Sequence, residues 1–173
     1  MQIMWLYDCM NMAIAYVEIP LTQNKVSIID IDDYWLISQY KWFAHRGRNN
    51  TTFYAYRNVT NKNNGRRTII AMHQVILGEY AYIDHINHNG LDNRKSNLRP
   101  ATAQQNSRNQ RPKDGTSKFK GVRLHACGKW EAYIYLNGKQ KYLGLFDDEA
   151  LAAMAYDKAA IEVFGNYAYL NLS

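Results

Sequence analysis

Residues 118–173 place the tightest limit on what this chain can fold into. The run FKGVRLHACGKWEAYIYLNGKQKYLGLF holds three strand-like segments separated by Cys127-Gly128 and Asn137-Gly138. Asn-Gly accepts the left-handed dihedrals of a two-residue hairpin turn, so the second pair sets an antiparallel hairpin. Asp147 or Asp148 then offers an N-cap to EALAAMAYDKAAIEVF, and Gly165 closes that run. Ala152, Ala155, Tyr156, Ala159 and Val163 recur at helical spacing, and alanine lets a helix lie close against a sheet. The pattern predicts a three-stranded antiparallel sheet backed by one helix.

Upstream, Pro112, Gly115 and polar neighbours mark a linker over residues 111–117. Residues 15–78 read as a small mixed α+β module. YVEIPLT and KVSIID are strands joined across Gln23-Asn24, and Asp30, Asp32 and Asp33 supply caps for a short helix through YWLISQY. TTFYAYRNVT and RRTIIAM form a hairpin across Asn61–Gly65, and MHQVILG is a short helix or strand end closed by Gly78. Trp5, Trp35 and Trp42 are expected in the core. Residues 79–110 read as strand (YAYIDHIN), polar loop (HNGLDNRKS), return strand (NLRPAT) and helix. Thr102 and Gln105 make a capping box that starts this helix at residue 103 and carries it to about 109. Residues 1–14 read as an upstream extension, because Met10 and Met12 stand just before the first strand-like run. The fold class is α+β.

Hydrophobic residues make up 47% of the chain, enough for a folded core rather than a disordered chain. Net charge is +6, but its distribution says more. Residues 94–123 contain nine Lys or Arg and one acid, Asp114, so the remainder is slightly acidic. A basic belt of this kind suits a polyanion, with solubilising charge as the competing reading. The two cysteines, Cys9 and Cys127, form no Cys-x-x-Cys pair, which argues against structural zinc and a disulfide framework. No apolar run reaches the roughly 18 residues of a membrane span, and residues 1–17 lack the basic start of a signal peptide. An intracellular, cytoplasmic setting is expected, with no membrane and no obligate protein partner.

The stretch DHINHNGLDNRKSNLRPATAQQN gathers candidates for chemistry. Asp84 and His85 end a strand, and Asn106 lies early in the following helix. A strand–loop–strand–helix unit can bring a carboxylate and an amide oxygen together. These are hard ligands, suited to one Mg²⁺ or Mn²⁺ with positions left for water and a phosphate oxygen. His85, with an ordinary pKa near 6.5, can take a proton from attacking water, and Asn97 can hold its ring. The competing reading is a polar loop with capping residues. His85-x-x-His88 lacks a third protein ligand, so His88 is assigned to the loop. Asn87, Asn89 and Asn93 are assigned to loop shape, His73 to packing or a phosphate contact, and Asp157 to a structural hydrogen bond.

Residues 73–109 resemble the HNH (ββα-metal) nuclease motif through "DH", "LDNRKSNLR" and "QQNSRN". The resemblance implies His85 as general base, Asn97 as the residue that positions it, and Asp84 and Asn106 as metal ligands. Asparagine at the last position is similar to phage and intron-associated homing endonucleases, which implies spread of a mobile element, in a bacterial or phage-infected cell. Block 118–173 resembles an AP2/ERF-type DNA-binding domain through Gly-Val-Arg, the tryptophan, Leu-Gly-x-Phe and Ala-Tyr-Asp. In that family the sheet enters the major groove. This implies double-stranded DNA as partner and Lys118, Lys120, Arg123, Trp130, Tyr133, Tyr135, Lys139 and Lys141 as contacts. Trp130 is divided between core and DNA, and Arg94 and Lys95 beside the loop suit phosphates. The alternative function is an AP2-type regulator without catalysis.

Overall fold

A computed structural model describes residues 16–48, 52–62, 64–78, 80–112 and 115–172. The upstream extension, Trp5 and Cys9 lie outside the described residues. The chain is mixed α+β, with several small antiparallel sheets and four α-helices among the described residues. It divides into two compact units, one through Thr102 and one from Ala103. The division falls inside the block read from sequence as residues 79–110. No helix among the described residues is long and apolar enough to cross a membrane.

In the first unit, strands β1 (Tyr16–Pro20) and β2 (Val26–Asp30) pair across a turn in which Gln23 and Asn24 have φ of 61° and 52°. Helix α1 (Tyr34–Ser38) follows, then β3 (Phe43–His45), β4 (Tyr54–Thr60) and β5 (Arg67–Ala71), which make one sheet in that order. Helix α2 (Met72–Leu77) leads to the hairpin of β6 (Tyr82–His85) and β7 (Leu98–Ala101). Val17, Ile19, Ile29, Ile37, Trp42, Ala55 and Met72 form the core, with Leu91 of the polar loop packed against it. Full burial of Ile29, Ile37 and Met72 contributes roughly 1.5–3 kcal/mol each. Trp42 lies inside as expected, its Nε1 donating to Ile37 O at 2.9 Å. Trp35 corrects the expectation: it is 82% exposed, because its turn of α1 directs Ile37 inward instead.

In the second unit, helix α3 (Ala103–Asn109) precedes β8 (Val122–Leu124), β9 (Trp130–Leu136) and β10 (Lys139–Phe146). The sheet is antiparallel with β9 in the centre, and helix α4 (Glu149–Phe164) packs across it. Asp148 is the cap, its Oδ1 accepting from the backbone of Ala150 and Leu151. The buried stripe of α4 is Ala152, Ala153, Tyr156, Asp157 and Ala160. Val163, placed on that stripe from sequence, is 44% exposed. Asp157 has the structural hydrogen bonds expected of it, accepting from the backbone of Asn171 and Leu172.

Candidate active site

The β6–β7 register places Asp84 opposite Arg99 and His85 opposite Leu98. Arg99 Nε donates to Asp84 Oδ2 at 2.8 Å, and the carboxylate is 5% exposed. His85 is equally buried at the strand end. Its ring meets Tyr54 at 5.5 Å and His73 at 5.2 Å between centroids, both edge-on. These contacts fix the plane of the imidazole. Burial pushes the His85 pKa down, opposed by the Asn93 hydrogen bond and the charges of Asp84 and Asp92. The ring is therefore held neutral at pH 7, the form a general base requires.

The asparagine-rich loop is ordered by its own side chains. Asn97 donates through Nδ2 to Asp92 O at 2.8 Å and accepts from Asn87 N at 3.0 Å. Asn87 Nδ2 donates to Asp92 Oδ2 at 2.9 Å. The loop also joins β2: Ile28 N donates to Leu91 O, and Asn93 N donates to Ile28 O. At the imidazole itself stands Asn93, with Oδ1 3.2 Å from His85 Nε2 and no solvent exposure. Sequence reasoning gave Asn93 only to the loop. Nothing local distinguishes it, because its other partner, Ser27, lies 66 residues away.

The basic candidates fall into different environments. Arg94 pairs with Asp92 at 2.7 Å, and Lys95 Nζ pairs with Asp33 at 2.7 Å. Lys118 stands over the Phe119 ring. Lys120 Nζ donates to Arg108 O at 2.6 Å and Gln110 O at 2.7 Å, so it secures the end of α3 within the second unit. Burial lowers its pKa to about 8. Arg123 pairs with Glu131 at 2.8 Å and lies over Tyr133. Strand alternation sets the two faces of the β8–β10 sheet. Trp130 packs with Val122 and Ala132 beneath α4. Lys139 and Lys141 are paired with Leu136 and Ile134, and so share the α4 side although exposed. The opposite face carries Arg123, Glu131, Tyr133 and Tyr135, and by register Gln140 and Tyr142. Tyr135 OH donates to Gln140 Oε1 at 3.3 Å. Glu131, Gln140 and Tyr142, which the sequence reading did not single out, share this face with Arg123, Tyr133 and Tyr135.

Asn106 lies in α3, in the second unit. Among the described residues no group of three or more His, Cys, Asp or Glu is placed to enclose a metal ion.

Comparison with known proteins gives this geometry a family. The HNH endonuclease family model matches residues 79–108. An uncharacterized HNH endonuclease of Acanthamoeba polyphaga mimivirus is 34% identical over 152 residues, covering 86% of this chain and 76% of the relative. APETALA2-like protein 2 of Oryza sativa subsp. indica is 56% identical over 59 residues, 33% of this chain and only 14% of that protein's length. Dehydration-responsive element-binding protein 2D of Arabidopsis thaliana is 43% identical over 63 residues, 35% of this chain and 31% of that protein's length. With the family model on the β6–β7 hairpin and a relative matched over most of both lengths, the chain belongs to the HNH endonuclease family.

Proposed function

We propose that the chain is a metal-dependent endonuclease that hydrolyses phosphodiester bonds of duplex DNA. The observation that carries this reading is the buried, neutral His85 beside a buried carboxylate at the end of β6. Asp84 fits a divalent ion, being a hard oxygen donor held in position by Arg99. A carboxylate and an amide oxygen are hard donors, a chemistry that favours Mg²⁺ or Mn²⁺ over zinc. The HNH resemblance assigns Asn106 as the second ligand. When bound, the ion supplies stabilisation of charge on the phosphoryl group and leaving oxygen. His85 takes the proton of the attacking water, and its buried ring contacts keep it aimed. Asn97 keeps the loop closed around the strand end and so positions the base.

The β8–β10 sheet is proposed as an AP2-type DNA-binding module that directs cleavage to a site, as in homing. A regulator without catalysis is the alternative. Supercoiled plasmid separates the two: nicking with Mg²⁺ or Mn²⁺ that stops with chelator is expected. Binding without cleavage of any DNA contradicts the nuclease.

Salt dependence tests the belt. Neutralising Lys118 and Arg123 together should flatten the slope of log affinity against log salt by roughly 0.9 for each phosphate no longer neutralised. Lys120→Met should instead lower thermal stability and leave the slope in place, because its ammonium is committed to the carbonyls of Arg108 and Gln110. An unchanged slope in the first variant, or a flattened one in the second, reverses these assignments.

His73 supplies a pH test of the site's packing. Burial, followed by the neighbouring His85, lowers its pKa from 6.5 to about 3. The folded chain thus keeps His73 neutral where the unfolded chain protonates it, so stability falls as pH drops below the unfolded value. The expected loss from this group at pH 5 is about 2 kcal/mol. His73→Phe should make the melting temperature less sensitive to pH between 7 and 5. Equal sensitivity in both proteins contradicts the burial of a neutral ring.

A further inference from the structure

We propose that Ser27 and Asn93 form a relay that fixes the tautomer of His85, making Nδ1 the nitrogen that accepts the proton. The inference rests on the nuclease reading for its functional part, and on hydrogen-bond direction for its structural part. Ser27, on β2, and Asn93, in the loop, both have zero solvent exposure. Ser27 Oγ lies 2.9 Å from Leu91 O and 3.3 Å from Met72 Sδ. Both can only accept, so the single hydroxyl proton is given to one of them. The Ser27 oxygen is left to accept, and Asn93 Nδ2 donates to it at 2.7 Å. This fixes which way the Asn93 amide faces. Its Oδ1 then stands 3.2 Å from His85 Nε2, and an amide oxygen brings no proton. The hydrogen must therefore sit on Nε2, which puts the lone pair of the neutral ring on Nδ1.

Ser27 pairs with Ile19 in the β1–β2 hairpin, far outside the residues 79–108 matched by the HNH model. The N-terminal hairpin is thereby a positioning element of the active site rather than only a support. The parallel bridge between Ile28 and Asp92 and the backbone bonds on either side hold the relay in register. Neither Ser27 nor Asn93 is assigned contact with DNA or metal; both act through the imidazole.

Nitrogen-15 NMR of the 173-residue chain reads the tautomer directly. His85 is assigned among the five histidines by comparison with His85→Ala. A pyrrole-type Nε2 and pyridine-type Nδ1 are expected in the wild type. In Ser27→Ala the amide loses its acceptor, and both tautomers should be populated. Cleavage should then fall about tenfold to a hundredfold in kcat with KM for DNA unchanged. A wild-type ring protonated at Nδ1 overturns the relay, and this result needs no variant to fold. A folded Ser27→Ala with an unchanged tautomer overturns it too. Cleavage that survives His85→Ala would remove the nuclease role of the ring while leaving the tautomer result to decide the relay.

Discussion

Replacing His85 with alanine should leave duplex DNA binding intact and slow phosphodiester cleavage by about 10²–10⁴-fold, the usual contribution of a positioned acid or base. The size follows from how the ring is held. His85 is 5% exposed, bounded by Tyr54 and His73, and hydrogen-bonded to Asn93. A water molecule in its place would have neither the fixed geometry nor the basicity. The variant should fold, because a neutral ring is removed and no buried charge is stranded; weaker packing against Tyr54 and His73 costs a modest part of the stability. Single-turnover cleavage at saturating DNA isolates the chemical step, and a gel-shift titration reports binding separately. Cleavage within threefold of wild type would contradict a base role for His85.

Gly121→Ala should destabilise the fold more than any other substitution proposed above, by on the order of 3 kcal/mol. Two costs combine. The backbone there has φ of +71°, which disfavours any side chain. An added Cβ would also lie 2.5 Å from Tyr133 O and strike the ring of Tyr156, which is 3% exposed on α4. That ring cannot retreat, since it is fixed between the sheet and the helix in the core with Ile134 and Ala160. The Gly-Val-Arg sequence landmark thus has a physical cause: the glycine lets the chain pass beneath a tyrosine of the helix. Gly138→Ala is the control. It shares a positive φ, 79°, but meets nothing within 4 Å. Its cost should be only the conformational part, about 1 kcal/mol. Melting of the two variants separates strain from crowding. Equal losses would mean that the approach of Tyr156 does not matter.

Local chemistry made much of the fold legible. Gln23-Asn24 and Asn137-Gly138 both form turns with positive φ, and Asp148 caps α4. These signals act within a few residues, so a single sequence carries them. The order and spacing of Asp84, His85 and Asn97 likewise pointed to the hairpin that the family model matches. What stayed hidden depends on distant partners or on parity. Strand β3 is completed by pairing with β4, and its three residues have too little pattern of their own. Asn93 and Asn97 are equivalent as letters; only Ser27, brought up by β2, shows which one touches the imidazole. On β9, Trp130 was divided between core and DNA; its odd separation from Tyr133 and Tyr135 puts it on the α4 side, with the core residues. On β10, a register shift between Tyr142 and Gly144 further obscures which side chains look outward.

Whether this chain cuts duplex DNA with the help of a divalent ion is decided by incubating a duplex library with the 173-residue chain and sequencing the cleaved ends. Ends should appear with Mg²⁺ or Mn²⁺, vanish with chelator and cluster around a shared sequence. A library left uncut under all of these conditions, by protein that still binds DNA, would refute the nuclease and leave the regulator in its place.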